Sequence, residues 1–151
     1  MAIPFVEANS ASRQRLKTLV SGLSDEDLAC TNSDGWTVAS LLAHLAFWDQ
    51  RVLVLLRRWK ANGVDASPVD ADATNDALKP LCLALNPRTA IELCLSSAEA
   101  ADAELASITP ELVEQIQASP NHFRFDRGIH RSDHLHDIEA LLATPDHLIG
   151  A

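Results

Sequence analysis

Apolar residues recur at helical spacing along almost the whole chain, and no segment alternates with the period of two expected of a strand. The strongest run covers residues 36–59. Val38, Leu41, Leu42, Leu45, Trp48, Val52, Leu55, Leu56 and Trp59 fall on helical spacing there. Thr37 is the predicted N-cap, because its hydroxyl can accept an orphan backbone N–H, and Gly63 is the predicted stop. At 1.5 Å rise per residue, a helix of roughly 25 residues is about 37 Å long. With His44 at zero on a helical wheel, Leu55, Trp48, Leu41, Trp59 and Val52 lie within about 80° to one side. His44 is therefore at the edge of the inward face. Phe47 and Val54 lie on another side, so this helix is expected to be buried from two directions, by a bundle core and by a partner subunit.

The remaining pattern predicts three further main helices. Phe5, Ala8, Ser12, Leu16, Leu19 and Val20 outline a first helix from Pro4 to about Ser21. Ile91, Leu93, Cys94, Leu95, Ala98, Ala101, Leu105 and Ile108 outline another over residues 88–107. The last is expected from about Phe125 to Ala143, with Pro145 ending it. Short extra elements fit between these. Ser24 to Asp27 resembles a capping box, and Thr109-Pro110-Glu111 starts a short helix to about Gln117. Residues 71–85 have helical spacing that Pro80 is expected to kink or split. The predicted fold is all-α: a four-helix bundle in a single domain over residues 1–151, whose sites would be built from facing helices.

Composition narrows the function classes. A length of 151 residues suits one core, and 47% hydrophobic and 22% charged residues suit a soluble globular chain. The net charge of −9 argues against nucleic acid or an anionic membrane surface as partner, since both require a basic face. The 36–59 stretch is long enough to cross a bilayer, but His44, Asp49, Arg51, Arg57 and Arg58 are too polar for a lipid-facing span. Cys30, Cys82 and Cys94 lack metal-type spacing. Their odd number, with no basic residue before Arg13 to mark a signal peptide, suggests reduced thiols in the cytoplasm.

The candidate chemistry lies in the histidines. On the last helix, His130 and His134 are four residues apart, about 40° on the wheel, on the side that carries Leu141 and Ile138. His136 falls on the opposite side and is expected to face solvent, while His122 and His147 lie in breaks or tails. If the two helices face each other, His44, His130 and His134 hold one metal ion between them. Three neutral imidazoles suit Zn²⁺, Ni²⁺ or Fe²⁺ and leave a position open for water or substrate. The plainer reading makes His44 a hydrogen-bonded core residue and the pair part of an ordinary helix face. Asp133 and Asp137 flank the pair, either as acceptors that orient an imidazole or as a solvated face.

Two segments resemble the DinB/YfiT-like superfamily. One is GWTVASLLAHLAFWDQR, with Trp36 and Thr37 opening the helix and His44 followed by Leu45; the other is HRSDHLHDIEALL, with its HxxxH followed by an Ile and leucines. Asn75 stands where relatives often have an Asn, and Asp137 where they often carry Gln. The resemblance covers most of the chain in order and spacing. It implies a four-helix bundle with a metal held by three histidines, which map onto His44, His130 and His134. It also implies a choice of reaction on a small-molecule substrate. Some members are metal-dependent thiol transferases or isomerases using mycothiol, bacillithiol or glutathione, and others are hydrolases. No nucleophile elbow, Gly-rich phosphate loop or Cys/His nucleophile motif is present to decide, and no catalytic residue is singled out. The alternative from another class is a non-catalytic helical module for metal binding or association; on either reading a two-fold homodimer is expected, with Phe47 and Val54 as contact residues.

Overall fold

The structure, a computed structural model, describes residues 4–143. Pro145 and His147 lie outside the described residues. Among the described residues seven helices follow one another: α1 (Pro4–Ser21), α2 (Asp25–Ala29), α3 (Val38–Asn62), α4 (Ala71–Ala84), α5 (Pro87–Ala106), α6 (Pro110–Ala118) and α7 (Gly128–Leu142). Among the described residues there is no strand, only an isolated bridge between Thr31 and Thr37. The expected all-α architecture is present. α3, α5, α1 and α7 form a closed ring in which each helix packs on the next, while α4 lies against α3.

Local chemistry sets the helix ends. The Thr37 hydroxyl accepts the Ser40 N–H at 3.0 Å and opens α3. Gly63 closes it with a φ of 87°, a backbone conformation that side chains with a Cβ rarely adopt. The capping box at Ser24 and Asp27 is complete in both directions. Thr109 caps α6, with Pro110 in its first turn. Pro80 does not split α4, which runs through it as one helix. The carbonyl that loses its partner belongs to exposed Asp76, where water can replace the missing N–H. α7 begins at Gly128, three residues later than expected. The residues before it are held in a loop against α1, where the Asn9 side chain donates to the Phe125 carbonyl at 2.9 Å and accepts the Arg127 N–H at 2.6 Å. Phe125 stacks on Phe5 with ring centroids 5.2 Å apart. A Cβ at Gly128 would sit 3.2 Å from Ser12 Cβ, so the missing side chain lets α7 start close against α1.

The core has two apolar parts. One gathers Leu16, Leu28, Leu42, Leu45, Cys94, Ala98, Leu135 and Ile138. The other gathers Val52, Leu56, Trp59, Ala101, Leu105 and Ile116. Ala90, Cys94, Ala98 and Ala101 on α5 are small, which allows α3 to approach closely along its length. α3 is long and apolar enough to cross a bilayer by length and composition, yet 72% of its most apolar window is buried inside the domain.

Between the two apolar parts lies a layer of buried charge. Asp49 of α3 and Asp102 of α5 are 3% and 6% exposed, and Arg131 of α7 is 1% exposed. Arg131 donates to Asp102 at 2.8 and 2.9 Å, to Asp49 at 3.1 Å, and to Ser12 Oγ and the Asn9 carbonyl of α1 at 3.1 and 3.2 Å. Arg127 Nε reaches Asp49 at 2.9 Å, and Arg13 reaches Asp102 at 2.7 Å. All four helices of the ring therefore meet at one guanidinium. A buried charge is tolerable only when it is paired and its hydrogens are satisfied, which these contacts accomplish for all but the Nε of Arg131.

Candidate metal centre

α7 carries His130 and His134 on either side of Arg131, so the ion pairs that bury Arg131 also fix the rotation of α7 toward α3. The sequence pattern placed the two histidines on the core side of this helix. The structure turns Gly128, Arg131, Leu135 and Ile138 inward and leaves His130 and His134 on the half-buried flank, facing α3. His44 of α3, 6% exposed, meets them there. His136 is exposed, as expected, and so is His122.

The three rings converge through their Nε2 atoms. His130 Nε2 lies 3.2 Å from His44 Nε2 and 3.1 Å from His134 Nε2, and all three ligand atoms lie within 4.8 Å of one another. Protons alone satisfy this arrangement poorly. A ring nitrogen offers either one hydrogen or one lone pair, so His130 Nε2 can serve only one of its two neighbours well. A single cation would use all three lone pairs. Tetrahedral ligands about 2.0–2.1 Å from Zn²⁺ stand about 3.3–3.4 Å apart, close to the separations found. The residues present thus fit a divalent metal ion.

Burial prepares the rings for that role. It pushes the His44 pKa down to about 4, with the charge of His134 adding to the effect. Burial, then the neighbouring His134 and His44, pushes His130 down to about 3. His134 is lowered too by burial, against the opposing pull of Asp137 and Asp133. All three are neutral at pH 7, which is the form that binds metal. Nδ1 of His44 and Nδ1 of His134 are buried without a hydrogen-bond partner. Asp133 and Asp137 therefore do not act as the hydrogen-bonded acceptors that often orient a ligating imidazole. Ring packing does part of that work. Trp36 sits edge-on to His44 with centroids 5.5 Å apart, and Trp48 lies at 6.4 Å.

The cleft beside the histidines has a volume of about 320 Å³ and is also lined by Asn32, Asp34, Trp36, Asn75 and Asp137. Asn32 Oδ1 accepts the N–H groups of Asp34 and Trp36, each at 3.0 Å, and so shapes the loop that presents Trp36. Gly35, with a φ of 86°, makes that turn possible. Trp48 Nε1 donates to Asn75 Oδ1 at 3.0 Å and joins α4 to α3 at the cleft wall. Trp36 and Asn75 had a sequence signal through the family pattern. Asn32, Asp34 and the Arg131 layer had none beyond Asp49 standing inside the most apolar run. No disulfide joins the cysteines among the described residues, and burial pushes Cys94 up to about 12, which removes it as a nucleophile.

The family model of the DinB superfamily matches residues 8–142, a span that holds the bundle and all three histidines. The chain belongs to the DinB superfamily. No curated protein and no solved structure matches it. In this DinB-superfamily chain, the bundle and the His44, His130 and His134 cluster are compatible with a metal site.

Proposed function

We propose that the chain is a metal-dependent enzyme in which His44, His130 and His134 hold one divalent ion, Zn²⁺, Ni²⁺ or Fe²⁺, beside a cleft for a small-molecule substrate. One observation carries this reading: three neutral imidazoles converge through Nε2 at the edge of an open cleft, with no fourth protein ligand in the cluster among the described residues. A closed structural site has four protein ligands, whereas three leave a position free. When bound, the ion supplies Lewis-acid activation of a nucleophile, either water or a low-molecular-weight thiol. The chain's own residues do the rest. Asp137 lines the cleft beside His134 and can take a proton from the nucleophile. Asn75 accepts from Trp48, which leaves its NH₂ to donate to a bound substrate. Trp36 walls the cleft against water.

Beside the three neutral histidines, Asp34 and Asp137 are the charged residues that line the cleft. Two carboxylates favour removal of a proton from water over binding of an anionic thiol, so hydrolysis of a small electrophile is the reaction this lining supports best. A thiol-dependent transfer or isomerisation is the runner-up. The second apolar side of α3 supports self-association. Val54 is 43% exposed, and Phe47 lines an apolar groove of about 310 Å³ with Leu78, Leu81, Leu85 and Leu93. A two-fold homodimer through this side is the proposed assembly. Cysteines that form no disulfide among the described residues suit a reducing compartment such as the cytoplasm.

The experiment is a panel of ester, amide and thiol-transfer substrates, assayed with and without chelator on the wild type and on His134→Ala. Turnover that disappears with chelator and in the variant, while the fold persists, is the expected result. A folded, metal-loaded protein inactive on every substrate would favour a non-catalytic metal-binding module instead.

A further inference from the structure

A second cavity, of about 240 Å³, lies against the C-terminal half of α3, beneath the loops at residues 63–70 and 119–127. It shares no lining residue with the histidine cleft. Arg51, which lines it, follows His44 by seven residues, or about 10 Å along the helix axis. The walls include Leu55, Trp59, Val69 and Phe123.

Arg51 is the anomaly. Among the described residues, the arginines that are not exposed are Arg13, Arg51, Arg127 and Arg131. Three of them have a carboxylate partner: Arg13 has Asp102, Arg127 has Asp49, and Arg131 has both. Arg51 forms no ion pair with any described residue; its NH2 nitrogen donates only to the Ser67 carbonyl at 2.9 Å and to Ser67 Oγ at 3.1 Å. Its remaining N–H groups have no described protein acceptor. Desolvation is the sole cause that lowers its pKa, with no carboxylate opposing it. Trp59 also lines the cavity, and its indole N–H is buried without an acceptor.

The cavity is also held open in advance. Asn121 Oδ1 accepts the Ser67 N–H at 2.8 Å, and its Nδ2 donates to the Asp65 carbonyl at 2.9 Å, so the two loops are tied to each other.

We propose that this cavity is a second ligand site, for a small carboxylate with an apolar body, whose carboxylate pairs with Arg51. A guanidinium matches a carboxylate in shape and charge, and the apolar walls suit an aryl or alkyl body. One cation compensates one negative charge, which disfavours a dianion such as phosphate in a half-buried setting. The site does not depend on the metal centre.

The test is calorimetry on chelated protein, so that no ligand is held by metal, with phenylacetate, phenylacetamide and inorganic phosphate as probes. Phenylacetate should bind one per chain, and the uncharged amide about tenfold more weakly or worse. Arg51→Gln should weaken phenylacetate by a similar factor. Val69→Trp, on the exposed loop, should fill the cavity and weaken binding without touching the cation; it decides the matter if Arg51→Gln fails to fold. The proposal is overturned if phenylacetate does not bind at millimolar concentration, if the amide binds equally well, or if both variants bind as the wild type does. Phosphate binding tighter than phenylacetate would overturn the assignment of an apolar body.

Discussion

Replacing Arg131 with Met tests how the bundle holds α7 in place. The guanidinium has five close contacts to the other three helices of the ring, including a two-pronged pair with Asp102 at 2.8 and 2.9 Å. Removing one partner of a buried ion pair costs about 3–5 kcal/mol, because the remaining charge stays buried and uncompensated. Here each carboxylate keeps one cation. Asp49 retains Arg127 at 2.9 Å, and Asp102 retains Arg13 at 2.7 Å. That places the expected loss at the lower end, about 3 kcal/mol, a large share of the stability of about 5–15 kcal/mol usual for a domain. Met fills most of the apolar volume, so the loss reports charge and hydrogen bonding more than a cavity. Urea denaturation of chelated protein, read by circular dichroism, measures it. Metal affinity should fall as well, since His130 and His134 flank the substituted residue. A loss below about 1 kcal/mol with unchanged metal affinity would refute the view that this layer fixes α7.

Three further outcomes are expected. In chelated protein, stability should fall as the pH drops from 6.5 toward 4: the unfolded chain takes up protons at its ordinary histidine pKa, while folded His44 and His130 resist until about 4 and about 3. The slope should reach about 1 kcal/mol per pH unit for each histidine, and a flat denaturation midpoint between pH 7 and 5 would contradict it. Chelation at pH 7 should leave the helical circular dichroism intact, because neither apolar core part is built from the three histidines; a collapse of helicity would make the metal structural. In sedimentation at micromolar concentration the protein should run as a dimer, with Phe47→Glu shifting it to monomer, whereas a wild-type species of 16.4 kDa would count against the apolar side of α3 as an interface.

What the sequence made legible was local. The ends of α3 followed from Thr37 and Gly63, and the capping box from Ser24 and Asp27, because each depends on residues within a turn of one another. The convergence of His44, His130 and His134 was also legible, since helical spacing and the family pattern both pointed to it. The rotation of α7 was not. An arginine reads as solvent-facing, and Arg131 turns inward only because Asp49 and Asp102 arrive from helices far away in the chain. The same limit applies to the start of α7: Asn9, more than a hundred residues earlier, holds the loop that delays it. The split that Pro80 suggested does not occur for a different reason, because α4 is exposed where a proline is least costly.

The most direct measurement is the metal content of protein produced without a histidine tag, beside His44→Ala, His130→Ala and His134→Ala. The wild type should carry one divalent ion per chain, and each variant should lose it while keeping the helical spectrum. No bound ion in the wild type after incubation with Zn²⁺, Ni²⁺ and Fe²⁺, or an ion retained by all three variants, would contradict a metal centre built from these histidines.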